Sequence, residues 1–191
     1  MDYFISFIIK NQYWLRGFFF IGGLLLFMLW GLKRPFRQSN ESDPKMRWLT
    51  NFVMAVLGVI LLRVFVPIEL VALSYKYSIS GALKWLNEFP LIKILVAVVL
   101  MDFAIYWQHR VFHVVPMFWL LHRVHHSDVY FDTSLAIRFH PVEILISYLY
   151  KAALVVTLGV PPAAVILYEI VLNFSAMFNH GNFSFKTQTE M

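Results

Sequence analysis

Five long apolar stretches stand out in the pattern of hydrophobic and polar residues along the chain. They cover residues 16–32, 48–68, 91–107, 142–159 and 162–178, and each is 17–21 residues long. A helix needs about 20 apolar residues to cross the hydrocarbon core of a bilayer, which is about 30 Å thick. None of the stretches alternates apolar and polar residues with a period of two, so each predicts a membrane helix and not a barrel strand.

The composition points to the same class of protein. Hydrophobic residues make up 60% of the 191 positions and charged residues 14%, whereas soluble domains carry about 25% charged residues. A soluble fold and a disordered chain are therefore disfavoured. The sequence predicts an all-α integral membrane bundle of four to five spanning helices in a single domain, residues 1–191. We assign residues 16–90 to N-terminal spanning helices, 91–182 to a histidine-rich region with a helical cap and 183–191 to a polar tail.

The basic residues indicate how the helices are oriented. The net charge of +5 comes from residues scattered along the chain, so we expect no nucleic-acid partner. The loop 33–47 holds five basic and two acidic residues, and the positive-inside rule places it in the cytoplasm. Counting crossings from this loop puts residues 108–140 and His180 on the cytoplasmic side too. The absence of cysteine and the short chain favour a bacterial inner membrane, or the endoplasmic reticulum if the source is eukaryotic.

Histidine is the residue with the most uneven distribution. All seven histidines lie between residues 109 and 180, and five of them fall within residues 109–126. The count of membrane crossings, which did not use the histidines, places all of them at one membrane face. The candidate metal ligands are His109, His113, His122, His125, His126, His140 and His180.

The first two histidine clusters have the spacing of ligands on one helix face. His109 and His113 are four residues apart, and His125 and His126 follow His122 by three and four residues, so each cluster shares a face. Seven nitrogen donors without cysteine favour two metal ions, and imidazole suits iron and zinc alike. A heme needs only two axial histidines and leaves five unexplained. A membrane heme or metal carrier is the alternative from the binding class.

Several polar residues are candidates to orient the imidazole rings. A metal-bound imidazole usually donates its second N–H to a nearby acceptor. Asp102 lies two helical turns before His109, and Glu143 stands at the start of the fourth stretch, where the helix dipole also favours a carboxylate. Asn179 directly precedes His180. The further candidates are Asp128 and Asp132.

The segments HRVFH, HRVHHS, RFHPVE and NHGN, in this order, resemble the histidine boxes of the fatty acid hydroxylase / sterol desaturase superfamily. The resemblance covers about residues 102–182. It implies two non-heme iron ions, for which zinc can substitute, held by all seven histidines. It also implies O2 as co-substrate, hydroxylation or desaturation of a membrane lipid such as a sterol or fatty acyl chain, and electrons from a separate reductase chain.

One feature departs from the pattern of that superfamily. Its members carry another HxxHH box some tens of residues after the box that contains Asn-His, whereas this sequence ends at Met191, 11 residues after His180. We therefore expect a chain that stops before the ligand set is complete. A truncated, inactive member that acts only as a membrane partner is a further alternative, and the residues leave the oligomeric state open.

Overall fold

The computed structural model describes residues 2–38 and 44–185, and within them the protein is a bundle of helices without a β-strand. This architecture confirms the predicted all-α integral membrane bundle. The last six residues of the predicted polar tail, 186–191, lie outside the described residues. The helices are α1 (Asp2–Lys10), α2 (Gln12–Lys33), α3 (Pro44–Phe65), α4 (Leu70–Tyr77), α5 (Pro90–Val114), α6 (Pro116–His122), α7 (Pro141–Leu158) and α8 (Pro162–Asn179), with short 3₁₀ helices at Lys84–Leu86, His125–Ser127 and Thr133–Ile137.

Among the described residues, five helices are long and apolar enough to cross a membrane. They coincide with the five predicted stretches and are α2, α3, α5, α7 and α8. The helix α5 extends beyond its apolar stretch to Val114, so that His109 and His113 lie on it. The polar residues after Trp107 follow helical spacing, so they extend the helix instead of ending it. Leu95, Val99 and Phe103 recur every four residues on an exposed face of α5, as expected for a surface in contact with lipid.

Proline begins five of the helices and determines how the chain turns at the site. Each of α3, α5, α6, α7 and α8 starts with proline, whose missing N–H has no role in the first turn. Val115, which precedes Pro116, is extended, with φ −87° and ψ 118°. Since the residue before proline is disfavoured in the α region, α5 ends there and α6 folds back toward it. This turn positions two of the histidine clusters against each other.

The chain makes a tight turn between α7 and α8. Gly159 ends α7 in the left-handed region, with φ +69°, and its N–H donates to the Val155 carbonyl at 3.1 Å. Glycine adopts this conformation without a Cβ clash. Val160 is fully buried, and α8 begins at Pro162, so α7 and α8 pack antiparallel.

A loop between α4 and α5 closes over the same turn. Ala82 N–H donates to the Thr157 carbonyl at 2.9 Å, and the next N–H along the chain donates to the next carbonyl, also at 2.9 Å. A Cβ on Gly81 would lie 2.0 Å from the Gly159 nitrogen, so only glycine fits there. We call this part of the bundle, residues 81–83 and 157–160, the glycine end.

An ion pair inside the apolar region joins α2 to α8. Arg16 and Glu169 contact each other through their side chains, both of which are about three-quarters buried. Opposite charges in apolar surroundings stabilise each other when they pair. Further along the same two helices, Phe27 of α2 packs edge-on against Phe174 of α8 at 5.0 Å. Together these contacts hold α2 beside α8 over the length that leads to His180.

Candidate metal centre

Six of the seven histidines come together at one end of the bundle, where α5 and α8 end. The ring centroids of neighbouring members are 4.6–5.4 Å apart. Their Nε2 atoms face one another in three close pairs, at 2.8–3.1 Å. We call this group the histidine cluster, and it consists of His109, His113, His122, His125, His126 and His180.

Three members of the histidine cluster offer donor atoms to one point. His109 and His113 lie one turn apart on α5, and their Nε2 atoms are 3.1 Å apart. The turn at Pro116 brings His122 of α6 against them, so that one nitrogen of each residue lies within 4.8 Å of the others. This triad can hold a metal ion, because imidazole nitrogen is a ligand for iron, zinc and copper.

The other members form a second group of donors beside the triad. His125 Nε2 lies 2.8 Å from His180 Nε2, and His126 Nε2 lies 3.1 Å from His122 Nε2. Imidazole nitrogens bind ions such as zinc at about 2.0–2.1 Å, so two nitrogens that share an ion stand about 3 Å apart. The observed separations fit ligands of a common ion.

A buried carboxylate orients the central histidine. His122 Nδ1 donates to Glu143 Oε1 at 2.7 Å, and the two residues are 0% and 4% exposed. Because a carboxylate only accepts, Nδ1 carries the proton and the Nε2 lone pair points toward the cluster. The structure therefore brings together the predicted pair of a histidine and an orienting carboxylate. Glu143 Oε2 is buried without a hydrogen-bond partner among the described residues.

Backbone carbonyls orient two more rings in the same sense. His125 Nδ1 donates to the Arg138 carbonyl at 3.1 Å, and His180 Nδ1 donates to the Ala176 carbonyl at 2.6 Å. Carbonyls only accept, so both rings carry the proton on Nδ1 and leave Nε2 available. Three of the six histidines are thus fixed in the tautomer that a metal ion requires.

Burial keeps three members of the histidine cluster neutral. Burial, with the neighbouring histidines, lowers the pKa of His125 to about 3. Burial also lowers the pKa of His126 and of His180. An imidazole must be unprotonated to bind a metal, so these residues are in the binding form at neutral pH. The donor set, the tautomers and the charge state all fit a metal ion.

Aromatic rings outside the predicted set pack on the histidines. Phe139 stacks on His125 at 4.6 Å with an interplanar angle of 4°, and Phe131 stacks on His180 at 5.9 Å. On the other side of the cluster, Trp119 stacks on His126 at 5.8 Å. Their position next to the histidine motifs in the sequence was the signal that could have identified these three aromatic residues. That signal is weak, because most aromatic residues in a membrane protein serve packing.

Arg138 is a second residue that the sequence did not single out. Its guanidinium donates to Asp128 at 3.0 Å, to Ser127 at 2.8 Å and to Asn51 at 3.3 Å. These contacts tie the loop after α6 to α3. Since the Arg138 carbonyl also accepts from His125, the network fixes the backbone on which that histidine depends.

Two predicted carboxylates serve this loop instead of the histidines. Asp128 pairs with Arg138, as described above. Asp132 accepts from Trp48 Nε1 at 2.8 Å and pairs with Arg47 at 2.5 Å. It also accepts from Ser134 N–H at 2.7 Å. Asp132 therefore anchors the segment between α6 and α7 to α3, whereas Asp128 joins two parts of that segment.

Three predicted site residues lie apart from the histidine cluster. His140 caps α7, since its Nδ1 accepts from Val142 N–H at 3.2 Å, and among the described residues it has no ring contact with the other histidines. Asp102 is exposed on α5, about 10 Å along the helix axis from His109. Asn179 is exposed at the end of α8 and has no side-chain hydrogen bond to a described histidine. Their roles at the metal remain predictions.

The segment after His180 fastens the basic loop to this end of the bundle. Asn182 Oδ1 accepts from Arg37 N–H at 2.9 Å, and Asn182 Nδ2 donates to the Arg37 carbonyl at 2.8 Å. Ser184 N–H donates to the Arg34 carbonyl at 2.9 Å. The basic residues at the end of α2 and the histidine cluster therefore lie at the same end of the molecule.

Comparison with known proteins finds similarity over this same region. The family model described as fatty acid hydroxylase matches residues 94–191, just over half of the chain, and this range includes all seven histidines. Alkylglycerol monooxygenase of Homo sapiens is 32% identical over 77 residues, and that of Danio rerio is 29% identical over 77 residues. Each alignment covers 40% of this chain and 16% of the relative. No solved structure matches the chain.

Proposed function

This chain belongs to the fatty acid hydroxylase family, and we propose that it uses O2 to hydroxylate or desaturate a membrane lipid at a centre of two iron ions. The observation that carries the proposal is the convergence of six histidine Nε2 atoms in three close pairs at the end of a membrane bundle. The name of the two monooxygenase relatives supports a reaction with O2. Zinc can occupy the same donors but has no redox chemistry.

The arrangement of the histidines suggests how two ions are shared. His109, His113 and His122 would hold one ion, and His125 with His180 would contribute to the second. The ring of His126 lies 4.8 Å from that of His122 and 4.9 Å from that of His125, so it adjoins both groups. The donors are neutral nitrogens, which suits a centre that changes its oxidation state during the reaction.

The reaction needs two electrons from outside the chain. In hydroxylation a lipid C–H bond, O2, two electrons and two protons give C–OH and water. In desaturation the same inputs remove two hydrogens from adjacent carbons and give two waters. Bound iron would supply the activation of O2, and a separate reductase chain would supply the electrons. The residues of this chain orient the ligands through Glu143 and shield the rings with Phe139 and Trp119.

We further propose that the histidine cluster faces the cytoplasm. Arg34 and Arg37 lie at the same end of the bundle as the cluster, because residues 182–184 bind the loop that carries them. Basic residues beside a spanning helix favour the cytoplasmic side. A bacterial inner membrane is the proposed location, or the endoplasmic reticulum in a eukaryote.

Metal analysis and an activity assay on the purified full chain test this proposal. We expect iron bound to the wild type, no heme absorption band, and O2-dependent oxidation of a lipid when a chemical reductant is supplied. His113→Ala should lose both iron and activity, because it removes one donor of the triad. Since His113 is exposed, the substitution should leave the packing intact. Phe103→Leu, on the exposed face of α5, is the control and should retain both.

Two results would contradict the proposed function. An intense heme band that disappears in His113→Ala would identify the protein as a heme carrier. Bound iron without any O2-dependent product from sterol, fatty acyl or glyceryl ether lipids would identify a non-catalytic metal protein or a membrane partner. Either result would leave the fold and the histidine geometry as described.

A further inference from the structure

A cavity of about 470 Å³ lies beside the histidine cluster, and the proposed metal centre does not use it. The ends of α2 and α3, the segment 129–133 and Asn182 form its walls. Phe131 belongs to both places, because it lines the cavity and stacks on His180 at 5.9 Å. Cavities of 300–1,000 Å³ are typical of small-molecule sites, so this one has the size of a ligand site one aromatic ring away from the cluster.

Among the described residues that line the cavity, the charged ones carry a net positive charge. Arg37 and Arg47 line it, and Asp132 is the acidic residue among the described lining residues. Arg47 and Asp132 form an ion pair at 2.5 Å. The guanidinium of Arg37 has no ion pair or hydrogen bond within the part of the chain that the structure describes. One positive charge on the wall is therefore available to a ligand.

The backbone of Arg37 is held in place by the segment that carries His180. Asn182 makes two hydrogen bonds to the backbone of Arg37, at 2.9 and 2.8 Å. On the other side of Asn182, Gly31 of α2 approaches so closely that a Cβ would lie 3.1 Å from the Asn182 carbonyl oxygen. The cationic wall of the cavity and the histidine cluster are thus linked through residues 180–182.

A second part of the cavity lining is apolar and adjoins the lipid-facing surface. Phe27, Met28 and Leu32 of α2 form this wall together with Phe131. Phe27 is buried, whereas Leu32 is 65% exposed on a membrane-spanning helix. A ligand that fits both walls carries an anionic group at one end and an aliphatic chain at the other.

We propose that this cavity binds the phosphate head group of a single-chain acidic lipid, with Arg37 as the residue that selects the phosphate. The inference rests on the proposed function in one respect, namely that the bound lipid is the substrate. Arginine matches the geometry of phosphate oxygens with paired N–H donors. The aliphatic chain lies along the wall formed by Phe27, Met28 and Leu32, and the head group is held next to the histidine cluster.

Equilibrium binding of two radiolabelled lipids to the full chain in detergent tests the inference. The probes are lysophosphatidic acid and a monoacylglycerol with the same acyl chain, which lacks the phosphate. We expect lysophosphatidic acid to bind more tightly, and Arg37→Ala to weaken its binding about tenfold, the effect of losing about 1.4 kcal/mol of charged hydrogen bonding. Monoacylglycerol binding should not change, and Arg37→Lys should recover part of the preference.

Arg34→Ala is the matched control, since it removes one positive charge three residues away and does not line the cavity. An equal loss of lysophosphatidic acid binding in Arg34→Ala and Arg37→Ala would overturn the inference in favour of general surface attraction. Inorganic phosphate is the third probe: if it binds as tightly as the lipid, the site is for a free anion and the lipid assignment is overturned.

The binding assay does not depend on iron or turnover, so its outcome is separable from that of the proposed function. His113→Ala should bind lysophosphatidic acid as the wild type does while losing oxidation. If the wild type binds the lipid with the expected dependence on Arg37 but oxidises no lipid, the head-group site stands and the proposed function fails. If oxidation is intact but the two lipids bind equally, the proposed function stands and the head-group site is overturned.

Discussion

The two ends of the bundle are built on opposite principles. At the glycine end, backbone N–H groups of residues 82 and 83 meet carbonyls of α7 at 2.9 Å, and Gly81 and Gly159 touch without space for a Cβ. At the histidine end, six imidazoles point nitrogen atoms at one another across 2.8–3.1 Å. In the His125–His180 pair both rings carry their proton on Nδ1, so two Nε2 lone pairs face each other at 2.8 Å without a proton between them.

This difference separates the part of the molecule that stabilises the fold from the part available for chemistry. The glycine end is complete by itself, because each of its close contacts is a hydrogen bond or a van der Waals contact. At the histidine end, a cation shared by the nitrogen lone pairs would add stability. Such exceptions to local packing rules are expected at functional sites. A substitution at the histidine end should therefore leave the thermal stability of the metal-free chain unchanged, and a substitution at the glycine end should leave iron binding unchanged.

The largest expected effect breaks the histidine end alone. His109→Ala removes one donor of the triad, and we expect lipid oxidation to fall about a thousandfold, which corresponds to about 4 kcal/mol. Because His109 is exposed, the thermal midpoint of His109→Ala in detergent should match that of the metal-free wild type. Parallel measurement of product formation, bound iron and thermal unfolding checks both statements. Wild-type iron content in His109→Ala would show that the triad is not a metal site.

The second effect breaks the glycine end alone. Gly81→Ala forces a Cβ to within 2.0–2.4 Å of backbone atoms of residues 158 and 159, and overpacking of this kind costs about 2–3 kcal/mol. We expect a lower thermal midpoint with unchanged iron per folded chain. Gly22→Ala is the control, because nothing lies within 4 Å of a Cβ there. Equal thermal midpoints for Gly81→Ala and Gly22→Ala would show that the close packing at the glycine end does not contribute to stability.

The spanning helices and the spacing of the candidate histidine ligands were predictable because they depend on local sequence. Apolar stretches of 17–21 residues gave the five helices, and the separation of His109 from His113 placed both on one face. Glu143 was one of five candidate acceptors for an imidazole N–H, but the sequence did not indicate that its partner is His122. In contrast, the contacts of Arg138 and Phe139 with His125 join residues that are 13 and 14 positions apart, and no periodicity encodes them.

His140 illustrates a local rule that competes with a motif. The motif RFHPVE suggests a metal-site histidine, whereas a residue directly before a helix-starting proline occupies the N-cap position, where a side-chain acceptor is favoured. The structure places His140 Nδ1 on the Val142 N–H. Asp102 and the histidine cluster are separated for a simpler reason, since two turns of helix carry a side chain about 10 Å along the axis.

A third variant sharpens the comparison by weakening the histidine end without removing a ligand. Glu143→Gln keeps the shape of the side chain but replaces the negatively charged carboxylate, which accepts from His122 Nδ1 at 2.7 Å, with a neutral amide. Loss of such a partner lowers metal affinity about 10–100-fold. Competition with a chelator measures this change. Glu69→Gln is the matched control, because it removes a carboxylate that pairs with Arg63, at 3.5 Å, and not with a histidine. Equal metal affinities in the two variants would show that Glu143 does not orient His122.

The smallest expected effect tests whether the plane of an imidazole matters as well as its hydrogen bond. Phe139 lies almost parallel to His125, at 4.6 Å and 4°, and aromatic pairs contribute about 0.5–1.5 kcal/mol beyond buried area. Phe139→Leu keeps most of the apolar volume, so we expect a loss of iron affinity of about threefold with little change in thermal stability. Phe103→Leu on the exposed face of α5 should change neither in the same chelator competition. In Phe139→Leu the Arg138 carbonyl still accepts from His125 Nδ1. An iron affinity equal to that of the wild type would therefore mean that hydrogen bonds alone fix the His125 ring. The Phe139 contact would then contribute to packing only, as the contacts at the glycine end do.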